Sequence, residues 1–233
     1  FLVGVDESLP DAGAEAWHAR DGSVVKNVFE AAARDQLEAQ ALLNYARTKL
    51  HAKSIAILHD ENLYGTNGSE AHPGTATDFT PQIVKPRDAH PDVLVIWGAT
   101  QTPALATRAA RTLGITSAIL GSSGNLSEGF LEVAGSAADD VYSAANLNFH
   151  DPHAQQRALY DSYQTTYHDR IVAEALAQAH GKTDGATLEA ILERGQPIRG
   201  VQGTFRFSPT DHNGLTADDV HIVVARAGAW TSP

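Results

Sequence analysis

The stretch DVLVIWGATQTPALATRAARTLG (92–114) joins an apolar run to a helix with clear end signals. The run 92–98 is typical of a buried strand and is the strongest strand signal in the chain. In the helix predicted over 102–114, Thr102 is the expected N-cap, Pro103 lies in the first turn and Gly114 follows the last turn. A buried strand followed by a helix is the repeating unit of α/β folds.

The same strand–helix unit recurs along the chain. Apolar patterning predicts further strands at 1–5, 54–60, 117–123, 139–149, 203–214 and 221–230. It predicts helices from about Arg34 to 50, over part of 77–89, and over 125–135, 153–167, 171–181 and 186–195. The sequence therefore indicates an α/β protein in which a parallel sheet is covered by helices on both faces.

Composition excludes several classes of function. The 233 residues include 17 Lys and Arg against 28 Asp and Glu, a net charge of -11, so we expect no nucleic-acid partner. Without cysteine there is no disulfide framework and no thiolate chemistry. No stretch approaches the roughly 20 apolar residues that span a bilayer. Because the chain lacks methionine and opens inside a strand, we expect it to be processed or trimmed.

The ends of the predicted strands carry the candidate binding residues. Ligands of open parallel sheets bind at the carboxyl ends of the strands, here the loops at 60–65, 98–102 and 121–125. These loops offer neutral donors and acceptors beside one aromatic ring, which suits a small polar ligand better than acid–base catalysis. The candidates are Tyr64, Ala99, Thr100, Gln101, Thr102, Ser122, Ser123 and Asn125.

Three other kinds of site fit these residues less well. LYGTNGSEA (63–71) lacks both the lysine of a phosphate loop and the G-x-G-x-x-G pattern, so it indicates a plain strand-to-helix turn. The consecutive residues 59–61 (His-Asp-Glu) diverge in an extended segment, so we expect no metal and no cofactor. GSSG (121–124) is not G-x-S-x-G. For Ser122 and Ser123 we favour hydrogen bonds to a ligand or to the next helix over catalysis.

Several long segments together resemble a known family. They are KSIAILHDENLYG (53–65), TDFTPQIVKPRDAHPDVLVIWGATQTPALATRAARTLGI (77–115), AILGSSGNLSEGFLEVAG (118–135), and the tail GVQGTFRFSPTDHNGL (200–215) with HIVVARAGAW (221–230). In order and spacing they resemble the leucine/isoleucine/valine-type solute-binding proteins of bacterial ABC importers. The resemblance covers most of the chain.

The resemblance implies a type I periplasmic-binding-protein fold, a two-lobe Venus flytrap that closes about a hinge on its ligand. It implies a partial first lobe at 1–40 and 150–200, and a second lobe at 41–149 and 201–233. In similar proteins an aromatic residue at the position of Tyr64 packs on the ligand and the loop Ala99-Thr100-Gln101 forms a wall. The stretch FLVGVDES implies that Asp6, Glu7 and Ser8 lie near the polar end of the ligand.

The position that in amino-acid binders of the family carries an acid for the α-ammonium is here Ser123. The expected ligand is therefore a branched-chain or other amino acid, or a small or aromatic carboxylate. Family members are also longer, with extra segments after Ala71 and after Asp169 and a longer front before Phe1. Because a helix of barely one turn cannot cross a parallel sheet, the sequence predicts hidden chain breaks near 71–75 and 168–171.

We therefore expect a non-enzymatic periplasmic receptor, monomeric, that captures a small organic solute and delivers it to a membrane ABC permease. One alternative is a ligand-sensing domain of the same fold in a regulator or receptor. A second is a serine hydrolase that uses Ser123, which would require a histidine and an acid behind it.

Overall fold

The computed structural model describes residues 2–3, 28–29, 32–60, 71–72, 77–99, 101–146, 184–199 and 202–233. The helices are α1 (Asp35–Thr48), α2 (Thr80–Ala89), α3 (Thr102–Thr112), α4 (Glu128–Ala134) and α5 (Gly185–Leu192). The strands are β1 (Leu2–Val3), β2 (Val28–Phe29), β3 (Ile55–Asp60), β4 (Ala71–His72), β5 (Val93–Trp97), β6 (Ala118–Gly121), β7 (Val141–Ala145), β8 (Ile198–Arg199), β9 (Thr204–Phe205), β10 (His221–Arg226) and β11 (Ala229–Thr231).

The chain forms two compact units. The first comprises Phe1–Leu37 with Asn146–Val220, and the second comprises Glu38–Ala145 with His221–Pro233. The lobes predicted from the sequence placed 201–233 together in the second lobe. Residues 202–220 instead pack with the first unit, because the rings of Phe207 and His212 contact Phe29 and the amide of Asn213 binds the carbonyl of Ala32.

In the described part of the second unit the strands form one sheet in the order β11-β10-β7-β6-β5-β3-β4. The five strands from β3 to β7 are parallel, while β10 runs antiparallel to β7 and β11 antiparallel to β10. The chain leaves β3 toward β4 on one side and returns to β5 on the other. This reversal is a topological switch point, where open α/β sheets form a crevice.

Helices cover both faces of this sheet, as the uninterrupted apolar strands predict. Leu94 and Ile96 of β5 pack in one core with residues of α2, α3 and α4, such as Ile83, Ala106 and Phe130. On the opposite face α1 packs on the sheet through Tyr45, whose ring centroid lies 5.4 Å from that of Tyr142. In β7, for example, Val141 lies in the first core and the next residue, Tyr142, contacts α1, so neighbouring side chains of this strand face different helices.

In the first unit a small aromatic cluster organises the described residues. Phe29 is fully buried, with its ring stacked on His212 at 4.0 Å and edge-on to Phe207 at 5.1 Å. His212 in turn lies with its Nε2 atom 3.1 Å from Oε1 of Glu193. The turn Asp211-His212-Asn213-Gly214 is therefore a packed part of this unit, with Gly214 at φ +67°.

Most of the predicted elements that fall in the described residues agree with the structure, but two strands predicted in the tail do not. Of the strand predicted over 203–214 only Thr204–Phe205 is β-strand, and the stretch predicted as a strand over 221–230 is a hairpin of β10 and β11. Gly114, with φ +86°, follows α3 as predicted, and Pro103 lies in its first turn. The predicted N-cap Thr102 is wrong by one residue. The N-cap is Gln101, and the Thr102 hydroxyl donates to the carbonyl of Ala99 at 3.1 Å from inside the helix. β6 ends at Gly121 rather than at 123, because a short 3-10 turn occupies Ser123–Asn125.

The helices predicted over 153–167 and 171–181 lie outside the described residues, as does the chain break predicted near 168–171. Of the break predicted near 71–75, only residues 71–72 are described, so it stays a prediction. Of the helices that are described, none is long and apolar enough to cross a membrane.

Candidate ligand-binding site

Three predicted ligand loops begin at one edge of the sheet. β3 ends at Asp60, β5 at Trp97 and β6 at Gly121. The register pairs His59 with Trp97 and Ile96 with Gly121, so the three parallel strands end at nearly the same level. The carboxyl edge of the switch point therefore brings the ends of β3, β5 and β6 side by side.

The loops after β5 and β6 are joined by close packing. The Ser122 hydroxyl donates to the carbonyl oxygen of Gly98 at 3.1 Å. A Cβ at Gly124 would lie 2.7 Å from that same oxygen, so only glycine lets the two backbones approach this closely. On the other side, the Ser143 hydroxyl of β7 donates to the Ser122 carbonyl at 2.6 Å. These contacts fix residues 122 and 124 against both neighbouring strands.

The described candidates differ in what they can offer a ligand. Gln101 is exposed, and Ala99 and Ser123 are half-buried. Ser122 was expected to face a ligand, but it is fully buried and its hydroxyl is donated to Gly98. It serves in this structure to hold two loops together. The other predicted ligand residues lie outside the described part of the chain: Tyr64, Thr100, Asp6, Glu7 and Ser8.

Asn125 lies at the base of the β6 loop with only 1% of its surface exposed. Its side-chain amide sits directly over Gly121, where any Cβ would collide with it. Among the described residues neither the amide oxygen nor the amide nitrogen has a hydrogen-bond partner. Leaving a buried polar group unsatisfied costs roughly 1–3 kcal/mol, so this loop is not optimised for stability alone.

Sequence reasoning missed one buried acid at this edge. Glu38 of α1 is 1% exposed, and its Oε2 accepts a hydrogen bond from the backbone N–H of Ser123 at 2.9 Å. The two residues are 85 positions apart in the sequence. A signal was present, because Glu38 precedes the buried Leu42 and Ala46 by four and eight positions and so lies on the buried face of the helix.

The arrangement gives no support to nucleophilic catalysis or to a metal. Within the described residues the side-chain partner of the Ser123 backbone is Glu38, and no histidine is hydrogen-bonded to its hydroxyl. In the same part of the chain no group of three or more His, Cys, Asp or Glu residues is placed to hold a metal ion. The edge offers amide, hydroxyl and backbone groups, which hold a ligand by hydrogen bonds.

A family model for periplasmic binding proteins matches residues 65–229, well over half of the chain. The chain belongs to the periplasmic binding protein family. The resemblance found in the sequence is thereby confirmed.

One relative is similar to this chain over most of the chain's length. The Leu/Ile/Val-binding protein homolog 3 of Brucella melitensis is 23% identical over 219 residues, which cover 80% of this chain and 58% of the relative. The chain thus spans little more than half the length of that periplasmic binding protein.

Solved structures share the fold. The branched-chain amino acid transporter substrate binding protein LivJ from Streptococcus pneumoniae, solved in complex with isoleucine, superposes with a TM-score of 0.70 at 19% identity. That match covers 88% of this chain and 66% of LivJ. A periplasmic binding protein type 1 from Bordetella pertussis gives a TM-score of 0.74 at 21% identity, covering 90% and 68% of the two chains. The predicted type I fold class is confirmed.

Proposed function

We propose that the protein is an extracytoplasmic receptor that captures a small organic solute at the carboxyl edge of the β3–β5–β6 switch point. The observation that carries this proposal is the convergence of three strand ends at one level, at His59–Asp60, Trp97–Gly98 and Gly121–Ser122. Family membership supports it independently.

The chemistry of the edge indicates the kind of solute. Gln101 offers an exposed amide and Ser123 a half-exposed hydroxyl, both neutral. The Brucella relative is named for leucine, isoleucine and valine, and the pneumococcal structure contains isoleucine. The proposed ligand is therefore a branched-chain or other amino acid, or a small or aromatic carboxylate whose polar end is held by hydrogen bonds.

The proposed mechanism is closure of two lobes about a hinge. A solute that contacts both lobes stabilises the closed state by the difference in its affinity for the closed and open states. In the proposed pathway an ABC permease in the membrane recognises the closed, loaded form, and the receptor is a periplasmic monomer without catalytic activity. The net charge of -11 keeps such a protein soluble while it diffuses.

A thermal-shift screen tests the proposal. The panel contains L-leucine, L-isoleucine, L-valine, L-phenylalanine, benzoate and acetate, each at millimolar concentration. A ligand present at 100 times its Kd stabilises the folded state by about 2.7 kcal/mol. For a chain of this size that raises Tm by about 5 °C or more. A saturable rise with one class of solute is expected, and no rise with any member would contradict the proposed ligand class.

A further inference from the structure

The β6 loop comprises residues 122–125. We infer that Glu38 is a positioning residue of this loop and sets the direction in which the Ser123 hydroxyl points toward a bound solute. The second half of this inference rests on the proposed function. Glu38 would not itself touch the solute, since its side chain lies below the surface with 1% of the residue exposed.

The need for such a residue follows from the local backbone. In the 3-10 turn the N–H of Asn125 donates to Ser122 and the N–H of Leu126 donates to Ser123. The first N–H groups of any helical turn have no partner within the turn. The N–H of Ser123 is such a group, and the Glu38 carboxylate accepts from it at 2.9 Å.

The remaining restraints on the β6 loop act on other residues. The carbonyl of Ser122 is held by Ser143, its hydroxyl by Gly98, and Gly124 is wedged against Gly98. Each of these contacts comes from a neighbouring strand or its loop. The contact with Glu38 comes from helix α1 and acts on the nitrogen end of the 122–123 peptide unit, whose oxygen end Ser143 holds, so the two contacts together orient that unit. Because the Ser123 side chain follows directly from this unit, rotation of the peptide would redirect its hydroxyl.

The carboxylate is also a costly choice for this position. Burying a polar side chain is unfavourable unless hydrogen bonds compensate for the lost hydration. A residue retained only for packing at this site of α1 would be apolar, as Leu42 and Ala46 are one and two turns later. An acceptor for the Ser123 N–H gives the acid a positioning role that packing does not supply.

The test compares three changes at this residue with one control. Glu38→Gln keeps an acceptor oxygen at the same reach, Glu38→Leu removes the acceptor, and Glu38→Asp keeps the carboxyl group but shortens the side chain by one methylene. Gln40→Ala alters an exposed residue of the same helix and is the control. Amide hydrogen exchange at Ser123 is followed by NMR in the unliganded full chain, with the buried Val224 of strand β10 as internal reference.

In Glu38→Leu we expect exchange at Ser123 to accelerate at least tenfold while exchange at Val224 is unchanged. Glu38→Asp should act in the same direction and supplies the result if Glu38→Leu does not fold. Glu38→Gln and Gln40→Ala should stay close to wild type. Unchanged exchange at Ser123 in the Leu and Asp variants, or equal acceleration at Ser123 and Val224, would overturn the inference.

Calorimetric titration with L-leucine and with benzoate examines the link to binding. Where either probe binds wild type, its affinity should fall at least tenfold in Glu38→Leu or Glu38→Asp and recover to within about threefold in Glu38→Gln. Undiminished affinity in the Leu and Asp variants would refute the role of Glu38 in presenting Ser123. If neither probe binds wild type, the proposed ligand class fails, while the exchange data still decide whether Glu38 positions the loop.

Discussion

The hydroxyl of Ser143 donates to the carbonyl of Ser122 at 2.6 Å, so the third residue of β7 holds the first residue after β6. Ser143 is fully buried, and its hydroxyl also lies 3.3 Å from the carbonyl of Gly121. One side chain thereby fixes the point at which the chain leaves the sheet and enters the β6 loop.

Replacing Ser143 by Ala should destabilise the protein by about 1–3 kcal/mol, because a buried carbonyl loses its donor. The free energy of unfolding measured by urea titration checks this value. Ser136→Ala, at an exposed position, is the matched control and should change stability by less than about 0.5 kcal/mol. Equal stability of the two variants would show that the bond does not hold the loop.

Two glycines five residues apart, Gly124 and Gly129, should change the stability of the fold in opposite directions when each is replaced by alanine. At Gly124 the new Cβ would lie 2.7 Å from a backbone oxygen, so we expect a loss of about 1–3 kcal/mol. At Gly129, inside α4, the nearest atom would be 3.9 Å away, and the change should stabilise the fold by about 0.4–1 kcal/mol. Thermal denaturation of both variants provides the comparison, and a stabilising Gly124→Ala would contradict the described packing of the two loops.

Much of this fold could be read from the sequence, and the reason is visible in β5 and α3. Val93–Trp97 is an apolar run that is recognisable as a strand without knowledge of the strands that pair with it. Helix α3 carries its own end signals in Pro103 and Gly114. The carboxyl edge of the sheet can be predicted as the ligand edge from the order of strands and helices alone. These features are local or depend on chain order alone.

Other features depended on contacts between distant residues. The hydrogen bond between Glu38 and Ser123 spans 85 positions, so no local pattern reveals it. The buried role of Ser122 depends on Gly98 of another loop. The association of 202–220 with the first unit depends on Phe29, more than 170 residues earlier. Side-chain contacts of this kind are set by tertiary packing rather than by periodicity.

Asp92 should make the free energy of unfolding fall as the pH is lowered. The N–H of Lys53, then the N–H and the hydroxyl of Ser54, donate to its carboxylate and hold its pKa below the usual range. A lowered folded-state pKa gives stability that is present above the unfolded pKa, about 3.9, and is lost as pH falls through the folded value.

The Tm of wild type should therefore exceed that of Asp92→Asn at pH 5 to 7, and the difference should shrink as the pH falls from about 4 toward 2. Asp218→Asn, at an exposed position, is the control and should follow wild type throughout. A difference between wild type and Asp92→Asn that stays constant down to pH 2 would argue against the depressed pKa.

Tyr64→Ala should weaken solute binding by about tenfold, because the ligand loses its contact with an aromatic ring. Such a contact contributes on the order of 1–2 kcal/mol to the free energy of binding. The measurement is calorimetric titration with the solute that gives the largest thermal shift. The Tm without solute should match wild type within about 2 °C, which separates loss of a binding residue from loss of fold. Equal affinity would remove Tyr64 from the site.

Amide chemical-shift mapping with that same solute at saturation tests directly whether the solute binds at the carboxyl edge of the sheet. We expect the shifts to concentrate at this edge, at Ala99, Gln101 and Ser123, and to spare the amino ends of the strands at Ser54, Asp92 and Ser117. Shifts confined to the amino edge, or to surfaces away from all three strand-end loops, would contradict it.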